Sequence, residues 1–202
     1  WATFYFVAIA IKEKYITPYG TTKNFRKSSS IGLDIFDSTV EDNAADSRFI
    51  AWRGQAQYVK LLAPDTVLIL RSDIQITDDN LLSQERFSLG GFNSVRGYRQ
   101  NLLLADNGIF TSAEVKLPIA SFAGNEAIVQ FVPFVDFGTV WNIEAEGDLE
   151  PDTIVALGAG LQFNFNDSLN ARIDWGIPLV DPDTDSDTLQ ENGIYFSIDY
   201  QL

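Results

Sequence analysis

From Ile31 to the C-terminus, apolar and polar residues alternate with a period of two over segments of roughly ten residues. Ile31, Leu33 and Ile35 alternate with Gly32 and Asp34. Ile50, Trp52, Ala56 and Tyr58 oppose Arg53, Gln55 and Gln57, and Leu68, Leu70, Ile74 and Ile76 oppose Arg71, Asp73 and Gln75. The same rhythm returns in Ile109–Ile119, Val129–Trp141, Val155–Phe165, Leu169–Ile177 and Ile194–Leu202. A helix repeats its faces every three or four residues, so this spacing specifies strands, each with one apolar and one polar face.

The links between these segments alternate in length. Leu62–Thr66, Ser121–Glu126 and Asn166–Ser168 are short, whereas Asp37–Ser47, Thr77–Gly108, Asn142–Asp152 and Pro178–Asn192 are long. Short turns at one end and long loops at the other are the wiring of an antiparallel transmembrane β-barrel. A soluble β-sandwich also alternates, with its apolar faces packed together. Two features favour the barrel. The polar faces carry glycines and small polar residues, as a lumen would. Trp52, Trp141, Phe165, Trp175 and Tyr200 recur near strand ends on the apolar face, as in an aromatic girdle.

Composition removes several function classes. Histidine, cysteine and methionine are absent, which excludes a thiol nucleophile, a Ser-His-Asp triad and the usual zinc or haem ligation. A net charge of −14 argues against a nucleic-acid surface. Asp181–Asp187 is rich in aspartate but lacks the glycine and glutamate of a calcium loop. Leu157–Leu161 is not a dinucleotide fingerprint, no phosphate loop is present, and nothing gathers two carboxylates for glycosidase chemistry. No catalytic, cofactor or metal site is assigned, and the chain reads as a non-enzyme.

Residues Trp1–Ile11 are nearly continuously apolar, too short for a spanning helix and without the basic start of a signal peptide. A strand suits them best, whereas Thr17–Ser30 are polar and irregular. Residues 1–30 are set apart as an irregular N-terminal segment of unassigned role. Residues 31–202 form the barrel part, with its long loop at about 77–108.

Two motifs remain. Phe87–Arg99 (FSLGGFNSVRGYR) carries Gly90, Gly91 and Gly97, which let the chain turn tightly and present Val95, Arg96 and Tyr98 as a shaped tip. Phe134–Gly138 (FVDFG) places Asp136 on the lumenal parity and Val135 and Phe137 towards lipid. Arginine's planar fork suits a two-point carboxylate contact, so Arg96 is a candidate partner for Asp136. Spacing alone is equally compatible with a solvated wall aspartate and a solvated loop arginine.

Together, GGFNSVRGYR and FxDxG resemble the Omp85 superfamily, above all its two-partner secretion transporters, the haemolysin and filamentous-haemagglutinin secretion/activation proteins. Arg53–Gln57, Leu62–Thr66 and Ser112–Ile119 look like that family too, over about residues 31–202. The resemblance implies the last eight or so strands of a barrel of about sixteen in the bacterial outer membrane. It implies a loop tip, Val95, Arg96, Gly97 and Tyr98, folded inward onto a wall motif, Phe134, Asp136 and Gly138. Phe196, Ile198, Tyr200 and Leu202 match the parity of a C-terminal assembly signal. The implied function is export of an unfolded partner exoprotein without nucleotide or other cofactor. The implied partners are that exoprotein, outer-membrane lipid and the barrel-assembly machinery, with no nucleic acid. An Omp85-type assembly factor and a passive structural pore are the alternatives. POTRA domains, a plug helix and the first barrel half would precede this part in the family.

Overall fold

The computed structural model describes residues 6–16, 21–32, 49–122, 126–143, 151–166, 168–181 and 188–201. Nine strands form one antiparallel sheet in the order β1 (Phe6–Ile16), β2 (Thr21–Gly32), β3 (Phe49–Ala63), β4 (Thr66–Thr77), β7 (Asn107–Phe122), β8 (Ala127–Trp141), β9 (Thr153–Phe165), β10 (Leu169–Pro178) and β11 (Ile194–Tyr200). Between β4 and β7 the chain leaves the sheet and makes a small hairpin, β5 (Phe87–Leu89) with β6 (Leu103–Ala105). The sheet is open among the described residues, with β1 and β11 at its edges. That is the form expected of part of a barrel.

Burial follows the sequence parity, but inside out relative to a soluble protein. On β8, Phe131, Val135, Phe137 and Trp141 are exposed, while Gln130, Val132, Phe134, Asp136 and Val140 are buried. Trp52, Leu70, Ile76, Leu161, Phe165, Ile173, Trp175 and Tyr200 extend the exposed apolar face across the sheet. Soluble monomers rarely expose contiguous apolar area beyond a few hundred Å². In a bilayer this face is satisfied by acyl chains, and the strand-to-strand hydrogen bonds satisfy the backbone. The opposite face, which receives the loop, is the lumenal one.

Within residues 1–30 the described parts are strand: residues 6–11 agree with the strand expected there, and the irregular reading of Thr21–Ser30 is corrected. Residues 6–16 and 21–32 pair in continuous register, and β2 pairs with β3 from Thr21↔Lys60 to Gly32↔Phe49. The open edge of β3 offers backbone donors and acceptors whatever the side chains, so a neighbour can pair without showing an apolar rhythm. The described sheet thus has nine strands rather than eight, and residues 31–32 form the end of β2. The acidic loop 37–47, residues Leu33 and Ile35, residues 182–187 of the aspartate-rich loop and Leu202 lie outside the described residues.

The long loop is a folded body. Phe87, Leu89, Val95, Tyr98, Leu103 and Ala105 from the loop pack against Phe110, Val140, Ile154 and Ala156 of the sheet in one buried cluster. Each fully buried Phe, Leu, Ile or Val contributes about 1.5–3 kcal/mol. Its base is tied by polar groups. Asp106 accepts the Leu81 amide at 2.9 Å and the Ile143 amide at 3.3 Å. Gln75 donates to the carbonyls of Glu85 (2.8 Å) and Asp106 (3.1 Å).

Candidate functional site

Three glycines shape the loop tip. Gly90, Gly91 and Gly97 have φ of 99°, 100° and 101°, a region closed to most side chains. The Gly91 amide donates to the Val95 carbonyl at 3.2 Å, and the Ser94 amide to the Gly91 carbonyl at 3.2 Å. This closes a turn that aims Arg96 at the sheet. Val95, Arg96 and Tyr98 are all buried there.

Arg96 meets Asp136 through both its side chain and its backbone. Nε donates to Oδ2 at 2.7 Å, Nη2 to Oδ1 at 2.9 Å, and the Arg96 amide to Oδ2 at 3.1 Å. The remaining guanidinium donors are also used: Nη1 reaches Glu114 Oε2 at 2.9 Å and Nη2 reaches Ser112 Oγ at 3.3 Å. The guanidinium carbon lies 3.5 Å from the centre of the Phe134 ring, close enough for stacking and cation–π attraction. A guanidinium and a carboxylate, each at most 1% exposed, form the centre of the site.

The wall groups are held independently of the loop. Ser112 Oγ donates to Asp136 Oδ1 at 2.6 Å. Arg172 on β10 donates to Glu114 Oε2 at 3.0 Å and to Asp174 Oδ2 at 2.8 Å. Strand pairing sets these positions: Ser112 faces Asp136 across β7 and β8, and Asp174 faces Gly160 across β9 and β10. Sequence reasoning named Arg96, Asp136 and the motif residue Phe134. It placed Ser112, Glu114, Arg172 and Asp174 on the polar faces of their strands but did not assign them to the site.

Glycines make room for the tip. Leu89 and Val95 rest over Gly138, where a Cβ would stand 2.6 Å from Leu89 Cδ1 and 3.0 Å from Val95 Cγ2. Backbone meets backbone at Gly176, where a Cβ would lie 2.7 Å from the Arg96 carbonyl carbon.

Two tyrosines complete the anchorage. The Tyr98 hydroxyl lies 2.8 Å from the Val155 carbonyl and 3.0 Å from the Val180 carbonyl, and it accepts the Val180 amide at 3.2 Å. Burial pushes its pKa up, so it stays a donor. On β11, the Tyr195 hydroxyl accepts the Gly97 amide at 3.2 Å and donates to the Tyr98 carbonyl. Tyr98→Phe keeps the ring but removes the hydroxyl from the part-buried Val180 amide and carbonyl, while the Val155 carbonyl keeps the Leu179 amide, a loss of about 1 kcal/mol in loop docking. The expected result is faster trypsin cleavage after Arg99 with the sheet intact. An unchanged cleavage rate would show that the ring alone holds the tip.

The profile of the haemolysin secretion/activation proteins ShlB/FhaC/HecB matches residues 3–163, which include both the loop tip and the wall motif. The chain belongs to this family. The match begins at residue 3, so the family likeness includes the first two strands rather than starting near residue 31. No curated protein sequence matches the chain. Among solved structures the family chain is similar to CdiB from Escherichia coli, with a TM-score of 0.75 and 18% identity over 96% of this chain and 36% of that one. It is similar to CdiB from Acinetobacter baumannii, with a TM-score of 0.65 and 20% identity over 96% of this chain and 32% of that one. BamA from Haemophilus ducreyi lacking POTRA domains 1–3 gives a TM-score of 0.63 and 13% identity over 96% of this chain and 41% of that one. The fold is therefore that of an Omp85-type transmembrane barrel, and the chain spans well under half the length of the structures it matches.

Proposed function

We propose that this family chain is the C-terminal part of an outer-membrane pore that exports an unfolded partner exoprotein, with the Val95–Tyr98 tip docked on Phe134, Asp136 and Gly138 as its plug. The observation that carries this reading is the buried bidentate Arg96–Asp136 contact on a lumenal wall. A solvated surface loop gains nothing from such a contact. A lumen that must be sealed at rest and opened for a substrate does. Neither nucleotide nor metal enters the mechanism: the chain's own residues hold or release the loop.

Phe196, Ile198 and Tyr200 stand exposed on the lipid-facing side of the edge strand β11. This suits an assembly signal read by the barrel-assembly machinery. The likeness to BamA supports a second reading, an Omp85-type assembly factor.

The deciding experiment places the full-length protein in vesicles with an unfolded candidate exoprotein on the POTRA side. Protease-protected transfer of the polypeptide supports export. Membrane insertion of barrel precursors without transfer supports the assembly factor. Steady conductance without either supports a passive pore. Orientation is checked separately: a cysteine at Asp78, at the long-loop end, is expected to label from outside intact cells, and one at Ser168, in a short turn, is not.

A further inference from the structure

The socket around Arg96 is made of strand side chains that the loop does not supply. Without Arg96, Asp136 is still held by Ser112 Oγ, and Glu114 and Asp174 are still held by Arg172. Among the described residues, these three buried carboxylates then keep a single ion-paired guanidinium, that of Arg172. Arg71 lies on the neighbouring strand with its guanidinium 5.9 Å from the Phe110 ring, and its Nε is buried with no hydrogen-bond partner. It forms no ion pair with these carboxylates; its charge, like that of Lys116, acts on them only from beyond contact distance. The geometry points to a guanidinium receptor in its own right: on the export reading above, this wall site takes an arginine side chain of the passing polypeptide once Arg96 has left it.

The shape selects the ligand class. Asp136 offers two oxygens side by side, Glu114 a third at the next strand, and the Phe134 ring a flat surface against which the plane lies. A planar fork satisfies all of these together. The ammonium of lysine is a compact point charge without that fork and can satisfy only part of the set. The carboxylates are spaced for such a fork and not for a metal: among the described residues no group of three or more acidic or histidine side chains could hold a metal ion. Passage of a chain through the lumen needs the space the loop occupies. Uncovering the wall with nothing in place of Arg96 would strand unpaired buried carboxylates. Exchange of one arginine for another avoids that cost, so arginines in the exported chain favour the open state and the docked loop returns when the last one has passed.

The test has two arms. In the first, the full-length Arg96→Ala protein in vesicles is titrated with ethylguanidinium and, separately, with ethylammonium. Binding is followed by calorimetry and by hydrogen exchange of the loop amides. Ethylguanidinium is expected to bind at least tenfold more tightly than ethylammonium. Its binding should vanish when Asp136→Asn is added, and the wild-type protein, its socket filled, should bind neither. Equal binding of the two cations, or binding indifferent to Asp136→Asn, overturns the proposal. Arg96→Ser serves in the same way where Arg96→Ala does not fold. In the second arm, the wild-type protein is given one unfolded polypeptide and its version with every arginine replaced by lysine. The arginine version is expected to cross several-fold faster. Equal rates overturn the role for arginine in export. If neither crosses, the export reading fails, and the first arm still decides whether the wall is a guanidinium receptor.

Discussion

Arg96→Ala is expected to release the loop tip and to cost more than any other single substitution in the lumen. Arg96 uses its backbone amide and three guanidinium nitrogens on Asp136, Glu114 and Ser112. Removing one member of a fully buried ion pair costs about 3–5 kcal/mol, because the surviving charge is left without compensation. Hydration in the lumen lowers that figure towards about 2–3 kcal/mol, still a roughly 30- to 150-fold change in the docking equilibrium. The expected result is protease cleavage at Arg99 and, on the proposed export reading, a larger resting conductance with reduced export. Asp136→Ala should do nearly the same. Because the two residues share one interaction, the double substitution should be little worse than either single one. Simple addition of the two effects would mean that the loop is anchored without this pair, and that Tyr98 and Tyr195 carry the load.

Gly176→Ala is expected to dislodge the tip while leaving strand pairing intact, and to do so far more than Gly138→Ala. The two glycines meet different material. An added Cβ at Gly138 would press on the ends of Leu89 and Val95, side chains that can turn aside, at a cost of about 1 kcal/mol. At Gly176 it would press on the backbone of Arg96 and Gly97, which no rotamer change can move. The tip must then back off by roughly half an ångström to an ångström, enough to stretch the 2.7 Å contact between Arg96 Nε and Asp136 to the limit of a hydrogen bond. A tenfold or larger loss of loop protection is expected for Gly176→Ala, and a two- to fivefold loss for Gly138→Ala. The readout is hydrogen exchange at the Val95–Tyr98 amides. The opposite ranking would show that the tip rests on β8 rather than on β10.

How much of this was legible in the sequence depended on which force set the feature. The outward face was legible because lipid imposes a strict period of two, and Phe131, Val135 and Phe137 obey it in an unbroken run. The Arg96–Asp136 contact was legible because its residues sit in short motifs with characteristic glycines. β2 was not, since Thr21–Ser30 carries no apolar rhythm and its place comes from backbone pairing with β3. The core under the loop was missed for a related reason. Phe110, Val140 and Ile154 lie on the nominally wet parity, and only the folded loop explains why apolar residues stand there. Glu114, Arg172 and Asp174 were visible as lumenal charges. Their joining into one network is a matter of register across β7 to β10, which a single sequence does not display.

The tip docks on strands that all follow it in the chain. Its partners lie 40 residues ahead at Asp136, 57 at Val155, 82 at Val180 and 98 from Gly97 to Tyr195. Contacts of such long separation form late, because each must wait for the closure of a long stretch of chain. The loop is thus made before its berth exists, and the berth is complete only when the edge strand β11 has paired with β10. Docking consequently reports on the sheet beneath it: a loop found in place certifies that the strands from β7 to β11 are in register, and a one-residue slip in β8, β10 or β11 would send Asp136, Asp174 or Tyr195 to the opposite face and leave the tip with nowhere to land.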